Sequence, residues 1–514
     1  EINDAFGKLC EQARCYYSSP SAGLDVINKT NLDFFSSAQQ AEFYQLKGEL
    51  LSRESTLTNK PPSAANEAFA TSLTLHAESA KGWLSWGRFC RTQHERGGDA
   101  AYATNAVLCY LEALRTNATL SLDSVPCVLW LLASGFNDEK IVEELRSVFK
   151  LHVTSLPVWV WLSWLPQLLE GLRQPWGDCT FEALSTVATK YPQALYYSLR
   201  TFELELQEQY GVDLQLFSPD TSSSSMAVDE TASSGTKRKR STARGDANAG
   251  NNSVEDFVNF DYRALFYAQR LLHEMRATHT TLVDQMEVLR AGLANDTHLP
   301  VIMAHDQLAS AAALLMQRSV LKTGVVPKLV ISRLQLALTA LSSAVSVDEQ
   351  RVALFESDFA PWLKASKSKS DVTDAMPLLE LIDEWQRRMR EENNSTTLDL
   401  SKHATSLISS EFAAHGVEIP GQYMSPRSEP NAEQHTFVVG VHPGPTCVRR
   451  GRRLALQILL ASSDGLQKPF CVMRGTSAVL SGDDRGQQML SVVNNMLAQH
   501  FAARSRDATL SLPA

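Results

Sequence analysis

The sequence predicts a mainly α-helical fold: a TPR/HEAT-like α-solenoid followed by the β-rich start of a second domain. Three observations lead to this prediction. Apolar residues recur at i, i+3, i+4 and i+7 through most of the first 215 residues. Two such segments, 65–75 and 105–114, are offset by about forty residues, a spacing typical of stacked helical hairpins. From residue 417 onward, short apolar and β-branched runs replace the helical period.

The two periodic segments are each interpreted as the second helix of a tetratricopeptide-type hairpin. Such a hairpin cannot bury its apolar face alone, so hairpins stack into a solenoid. Tryptophans are concentrated in this region: Trp83 and Trp86 are spaced i, i+3, and Trp161 and Trp164 repeat that spacing. The pairs favour packing between helices, and the alternative is a partner-binding surface. No local feature decides between the two.

Residues 216–255 break the helical pattern. They are rich in Ser, Thr, Asn, Gly and Asp and contain few large apolar residues, so they predict a disordered insertion in a surface loop. Four consecutive cations lie within it: Lys237, Arg238, Lys239 and Arg240. They are a candidate nuclear localisation signal, and a solvated charge run is the alternative. The predicted location of the protein is therefore the nucleus.

Helical patterning resumes over 256–395 and includes an amphipathic helix over 376–392, with Pro377 in its first turn. The remaining segments are a junction over 396–435 and a strand-rich region over 436–514. Ser463, Asp464 and Gly465 form a tight turn between two apolar runs, which predicts a hairpin. The predicted elements of the last region are strands over 436–441, 453–460 and 469–473 and a helix over 485–499.

Composition excludes several classes of function. The net charge of −9 over 514 residues favours neither nucleic acid nor an acidic membrane as a partner. The eight cysteines include no CxxC pair, which indicates reduced thiols in a cytosolic or nuclear protein. No Walker loop, HExxH motif, nucleophile elbow or metal-ligand histidine pair occurs. We therefore expect no catalytic residue, no metal and no cofactor. A start without methionine and an unfinished last region indicate a fragment.

Three segments carry a resemblance to a known family. Residues 191–199 (YPQALYYSL) are similar to the hallmark segment of the FAT domain of phosphatidylinositol-3-kinase-related kinases. Residues 398–423, which end in EIPGQY, resemble the junction between FAT and kinase domains. With 462–473 (SSDGLQKPFCVM), they resemble the TRRAP family of pseudokinases. The resemblance implies a FAT α-solenoid over 1–215 and 256–395, and a truncated kinase-like N-lobe over 436–514.

The resemblance also implies a degenerate nucleotide site. In active members the third strand of the lobe ends in a lysine that holds the nucleotide phosphates, and the alignment places Met473 there. A thioether carries no charge and cannot stabilise phosphoryl oxygens. Arg474 follows on the other face of the strand, and Asp484 lies near the acid that orients the lysine. The basic segment 447–453 (CVRRGRR) is either a contact for nucleic acid or an acidic partner, or a solvated hairpin edge.

The function that the resemblance implies is a non-catalytic scaffold subunit of histone acetyltransferase coactivator complexes of the SAGA and NuA4 types, acting in transcription regulation. Its partners would be the subunits of those complexes and transcription activators, with no direct contact to nucleic acid or membrane. Two alternatives stay open. An active serine/threonine kinase of the target-of-rapamycin or nonsense-mediated-decay type would need a lysine elsewhere. A free-standing tetratricopeptide-type adaptor would lack the kinase-like lobe.

Overall fold

The computed structural model describes residues 2–16, 18–58, 61–99, 101–134, 139–210, 253–293, 300–316, 324–342, 349–365, 375–393, 397, 399–400, 405–423, 428–450, 453–472, 486, 489–490 and 493. The described chain is mainly helical with a small antiparallel sheet near its end, so the predicted fold class is confirmed. The chain divides into two compact units, Glu1–His279 with Tyr423–Ala432, and Thr280–Gln422 with Glu433–Ala514. The predicted domain limits stay predictions.

The first unit is built from helices that pack on their sequence neighbours. Its α-helices are α1 (Ile2–Cys15), α2 (Pro20–Asn28), α3 (Ser37–Thr58), α4 (Ser63–Leu75), α5 (Ala80–Glu95), α6 (Ala101–Thr116), α7 (Ala118–Ser121), α8 (Val125–Ser134), α9 (Glu139–Val153), α10 (Leu165–Gly171), α11 (Gly177–Lys190), α12 (Pro192–Tyr210) and α13 (Ser253–Thr278). A 3-10 helix, Val158–Trp164, precedes α10. No helix in the described ranges is both long and apolar enough to cross a bilayer.

Helices α3 and α4, and then α5 and α6, form two consecutive hairpins. The segments 65–75 and 105–114 lie in α4 and α6, so their prediction as second helices of hairpins is confirmed, whereas the tetratricopeptide type stays a prediction. In each hairpin a glycine of the first helix faces a buried aromatic ring of the second. A Cβ on Gly48 would lie 2.9 Å from the Phe69 ring, and a Cβ on Gly87 would lie 2.8 Å from the Tyr110 ring. These close approaches set the distance between the paired helices.

Adding one methyl group at Gly87 tests this packing. Gly87→Ala gains up to about 1 kcal/mol of helix propensity, but it forces the buried Tyr110 ring to move, which costs about 1–3 kcal/mol. We expect a net loss of unfolding free energy, measured by urea denaturation. Gly7→Ala is the control, because nothing lies within 4 Å of its added Cβ in α1. Equal effects of the two substitutions would contradict the close approach.

The second unit combines helices with the sheet. Its α-helices are α14 (Thr280–Ala291), α15 (Pro300–Leu315), α16 (Lys328–Ser342), α17 (Glu349–Ala365), α18 (Ala375–Asn393) and α19 (Thr405–Ser409). Its strands are β1 (Val438–Val441), β2 (Thr446–Arg450), β3 (Arg453–Ser462) and β4 (Gln467–Val472). The helix predicted over 376–392 is α18, with Trp385 on its buried face. Of the helix predicted over 485–499, most lies outside the described residues.

Strand β3 is the centre of the sheet. Strands β1 and β2 pair with different ends of β3, and β4 pairs with Leu456 to Ala461 of the same strand, all antiparallel. The buried positions Leu454, Leu456, Ile458 and Leu460 alternate along β3, and this strand packs on α15. The sequence prediction missed β2 and counted it with the basic segment. The predicted β3–β4 turn is confirmed, with Gly465 at φ +80°.

Candidate functional site

The EIPGQY segment of the second unit runs along β1. Glu418 forms an antiparallel bridge with Phe437. The Ile419 amide donates to the Thr436 carbonyl at 2.9 Å, and the Val438 amide donates to the Val417 carbonyl at 2.8 Å. The segment therefore covers the start of the edge of β1 that β3 does not occupy, and it pairs backbone groups of Thr436 and Val438 there.

Gly421 and Gln422 make the turn that follows. Gly421 has φ +97°, a left-handed conformation that side chains with a Cβ rarely adopt. The Gln422 Nε2 atom donates to the carbonyls of Ile419 at 3.1 Å and Thr436 at 2.9 Å, and its Oε1 accepts from the Thr436 amide at 2.9 Å. One amide side chain thus fastens the turn to the start of β1. This geometry explains the Gly-Gln pair of the motif.

Glu418 and His435 form a buried pair beside this turn. Glu418 Oε2 lies 3.0 Å from His435 Nδ1, and the two side chains are 8% and 10% exposed. Breaking a buried pair by removing one partner leaves a polar group without compensation, which is strongly destabilising. Each of Glu418, Gly421 and Gln422 therefore has a structural task in this segment.

In the first unit, the last residue of the EIPGQY motif contacts the segment 191–199, which carries the resemblance to the FAT domain. The rings of Tyr191 and Tyr423 pack edge to face with centroids 5.8 Å apart. The Tyr191 hydroxyl donates to Glu429 Oε1 at 3.4 Å, and Lys190 Nζ lies 2.5 Å from the same oxygen. The hydrogen bond and charge of Lys190 lower the pKa of Glu429, whereas burial raises the pKa of Tyr191. Two of the three segments that carry the resemblance are thus in contact.

Trp83 and Trp86 lie side by side on α5. Their rings are stacked with centroids 6.0 Å apart and an interplanar angle of 19°. Both side chains are half-buried. Trp83 Nε1 donates to the Ala77 carbonyl at 2.8 Å, and Trp86 Nε1 donates to Asn66 Oδ1 at 2.9 Å. Both indole donors are used within the chain, so a partner would contact the ring faces.

The second tryptophan pair is divided between core and surface. Trp161 is fully buried, and its ring lies 5.8 Å from that of Phe149. It therefore belongs to the core, and of the pair only Trp164, which is half-buried, reaches solvent. Sequence reasoning missed Trp130 on α8, which is 45% exposed. A lone tryptophan in an apolar helix gave no signal for that exposure.

The residues predicted for the nucleotide site and the localisation signal lie outside the described residues: Met473, Arg474, Asp484, Lys237, Arg238, Lys239 and Arg240. Strand β4 is described up to Val472. In the described ranges, no group of three or more His, Cys, Asp or Glu side chains is arranged to hold a metal ion.

Two cysteines on α1 differ in environment. Burial, with the charge of Glu42 adding to it, raises the pKa of the Cys10 thiol from 9.0 to about 11, whereas Cys15 is exposed. We expect iodoacetamide to modify Cys15 in the native protein and to spare Cys10 at about pH 8. Folding raises the pKa of Cys10, so the folded state favours its neutral thiol. The stabilisation from this thiol is therefore complete below about pH 9 and is lost as the pH rises to about 11. Mass spectrometry of tryptic peptides measures both sites, and equal labelling would contradict the burial of Cys10.

Comparison with known proteins gives consistent matches. A family model described as the FAT domain matches residues 1–130. The SAGA complex/NuA4 acetyltransferase complex subunit TRA1 of Saccharomyces cerevisiae is 37% identical over 39% of this chain and 5% of its own length. Its Schizosaccharomyces pombe counterpart is 33% identical over 43% of this chain and 6% of its own length. The transformation/transcription domain-associated protein of Homo sapiens is 33% identical over 41% of this chain and 6% of its own length. The chain thus aligns with a small part of each relative.

Proposed function

Because this chain is a FAT-domain protein of the TRRAP family, we propose that it is a non-catalytic scaffold segment of histone acetyltransferase coactivator complexes of the SAGA and NuA4 types. The observation that carries the proposal is the similarity to two proteins named as subunits of those complexes. The fold is compatible with this role, since stacked helical hairpins present long surfaces to partners. The proposed location is the nucleus, and the proposed partners are complex subunits and transcription activators.

The proposal includes a lobe without kinase activity. It rests on the alignment implied by the resemblance, which places Met473 at the position of the phosphate-binding lysine. The test is affinity purification of the tagged full-length protein from nuclei, followed by assays of histone acetylation and of ATP-dependent phosphorylation. Acetyltransferase activity without phosphorylation supports the proposal. Phosphorylation that survives stringent washing and disappears with a downstream catalytic-loop mutation would establish the kinase alternative.

A nuclear localisation signal at Lys237, Arg238, Lys239 and Arg240 is part of the proposal. The test replaces all four residues with alanine and follows the protein by fluorescence microscopy. We expect cytoplasmic retention, because import receptors bind such clusters through their charge. The control places four alanines at Ser222, Ser223, Ser224 and Ser225 of the same segment. Unchanged import of the first variant would refute the signal.

We also propose that the stacked faces of Trp83 and Trp86 contact a complex subunit, since tryptophans are enriched among residues that dominate binding. Trp164 is a second candidate, and Trp161 is excluded by its burial. The double substitution Trp83→Gln and Trp86→Gln should release at least one subunit from the purified complex. Leu151→Gln, at a side chain that is 75% exposed, is the control. An unchanged subunit list for the double variant would assign the pair to packing alone.

A further inference from the structure

Three helices of the first unit meet beside Cys127, which lies in the first turn of α8 and is half-buried. Arg91 of α5 reaches this residue, and its Nη1 atom donates to the Cys127 Sγ atom at 3.0 Å. The Asp123 carbonyl lies farther from the sulfur, at 3.9 Å. Helix α6 packs on both α5 and α8 and brings Tyr110 to the same place. A partly accessible cysteine is thus in contact with a guanidinium group.

The hydroxyl of Tyr110 is an unpartnered donor at this place. The residue is 2% exposed, and among the described residues its hydroxyl has no hydrogen-bond partner. Its ring packs against Gly87 of α5, one helical turn before Arg91, and its hydroxyl interacts electrostatically with Cys127 and Arg91. A buried hydroxyl without a partner costs stability, and in native structures such a group often has a chemical role. The hydroxyl therefore indicates that an acceptor forms next to the sulfur.

The acids of the neighbouring helices leave this arrangement in place. Glu95 Oε1, on α5, lies 3.3 Å from Arg91 Nε, so the guanidinium meets an acid at Nε and the sulfur at Nη1. Glu112, on α6, is engaged in two ion pairs of its own. Helix α8 contains no acid, and the Asp123 residue that precedes it is exposed. The described charged group in contact with the Cys127 sulfur is therefore that of Arg91.

Tyr110 stays a donor at neutral pH. Burial, with the charge of Cys127 adding to it, raises the pKa of Tyr110, whereas Arg91 and Arg88 act in the opposite direction. The net effect is a pKa above the ordinary value, so the hydroxyl keeps its proton. The surroundings of the sulfur thus combine one fixed positive charge with one neutral hydrogen-bond donor.

These two groups fit an oxygen atom bound to sulfur. A sulfenate oxygen is a negatively charged acceptor, and charge-assisted hydrogen bonds from arginine are among the strong ones. Cysteines that act as redox sensors are accessible and lie next to cations, whereas structural cysteines are buried and inert. Cys90 and Cys109 of α5 and α6 belong to the second class, since they are almost completely buried. Cys127 has the features of the first class.

We propose that Cys127 is a modification site that hydrogen peroxide oxidises to a sulfenic acid, with Arg91 and Tyr110 stabilising the sulfenate oxygen. The thiol releases its proton, and the sulfur attacks one peroxide oxygen. A sulfur–oxygen bond forms, the oxygen–oxygen bond breaks, and the departing hydroxide takes up the proton to give water. The sulfur loses two electrons and the peroxide gains them. Thiols reverse this modification. The site is separate from the scaffold proposal, and neither depends on the other.

The test treats the reduced full-length chain with hydrogen peroxide at pH 7 in the presence of dimedone, which traps sulfenic acids. Mass spectrometry of tryptic peptides then follows the adducts over time. Cys127 is the one cysteine of the fragment 116–140, and Cys15 is the one cysteine of the fragment 15–29. Cys15, which is exposed, is the internal reference. We expect the adduct to form about ten times faster on Cys127, the size of effect that one hydrogen bond to a charged group gives.

Two substitutions test the roles of the neighbours. Arg91→Gln and Tyr110→Phe should each slow the adduct on Cys127 about tenfold and leave that on Cys15 unchanged. Tyr110→Phe keeps the ring and removes only an unpartnered hydroxyl, so the free energy of unfolding should stay equal or rise. Lys81→Gln removes an exposed cation elsewhere on α5 and should change neither adduct.

Three results would overturn the proposal. The first is equal adduct formation on Cys127 and Cys15 in the unsubstituted chain. The second is an unchanged Cys127 adduct in both Arg91→Gln and Tyr110→Phe, which would mean that access alone decides the reaction. The third is a loss of unfolding free energy in Tyr110→Phe together with faster labelling of Cys90 and Cys109, because the hydroxyl would then serve the packing of α5 and α6.

Discussion

Trp161→Ala is expected to lower the free energy of unfolding of the first unit by about 3–5 kcal/mol, the range for removing a buried tryptophan. The side chain has no exposed surface and packs on Phe149 of α9. Truncation therefore leaves a large cavity beside Phe149, next to the 3-10 helix that carries Trp161. Hydrogen exchange with mass spectrometry on the full chain measures the effect, because it assigns the loss of protection to peptides of α9 and α10.

Two further substitutions make this result specific. Trp161→Phe should cost much less, since the indole Nε1 has no hydrogen-bond partner among the described residues and a ring remains. Leu151→Ala on α9 should change stability by less than about 0.5 kcal/mol, because that side chain is 75% exposed. If Trp161→Ala behaved like Leu151→Ala, the tryptophan would be a surface residue and its role as a partner contact would be open again.

Trp385→Ala is expected to have an effect of similar size, about 3–5 kcal/mol, on the second unit. The Trp385 ring lies 5.0 Å from Phe355 and 6.4 Å from Phe359, so it joins α18 to α17 through an aromatic cluster. Its Nε1 donates to Asp358 Oδ2 at 3.0 Å. The substitution removes both the ring contacts and the donor, and it leaves Asp358 without this hydrogen bond.

The hydrogen bond and the ring can be separated by a second variant. Trp385→Phe keeps an aromatic ring but loses the donor to a charged acceptor, for which we expect about 1.5–3 kcal/mol. Met376→Ala lies on the same helix at a side chain that is 53% exposed, and it should have little effect. Urea denaturation followed by circular dichroism ranks the three variants. We expect the loss of unfolding free energy to be largest for Trp385→Ala, smaller for Trp385→Phe and smallest for Met376→Ala. A different order would contradict the aromatic cluster as the link between α17 and α18.

Local patterns predicted the helices well, because the apolar period of a helix is contained in one segment. The segments 65–75 and 105–114 lie in α4 and α6, and Pro377 lies in the first turn of α18. Strand β2 was missed because TCVRR has no apolar alternation, and its pairing depends on hydrogen bonds to β3. A strand of this kind is decided by its neighbour rather than by its own side chains.

For the candidate sites too, local sequence patterns could not predict contacts with other segments. The spacing of Trp83 and Trp86 correctly predicted a shared face, but the same spacing could not reveal that Trp161 is fully buried and packs on Phe149. The motif EIPGQY was recognised as a pattern. However, the Gln422 side chain of the motif forms hydrogen bonds with Thr436, a residue outside the motif. Contacts between distant segments, such as Tyr191 with Tyr423, follow from the path of the chain and leave no mark in either segment.

The pairing of α12 with α13 has a practical consequence. These two helices pack on each other although α12 ends at Tyr210 and α13 begins at Ser253. The entropy of closing a loop grows slowly, by about 0.6 kcal/mol for each doubling of its length. Residues 211–252 can therefore be lengthened at small cost to folding. An affinity tag or a fluorescent protein inserted there, away from the four basic residues, would label the protein while both of its termini stay as they are.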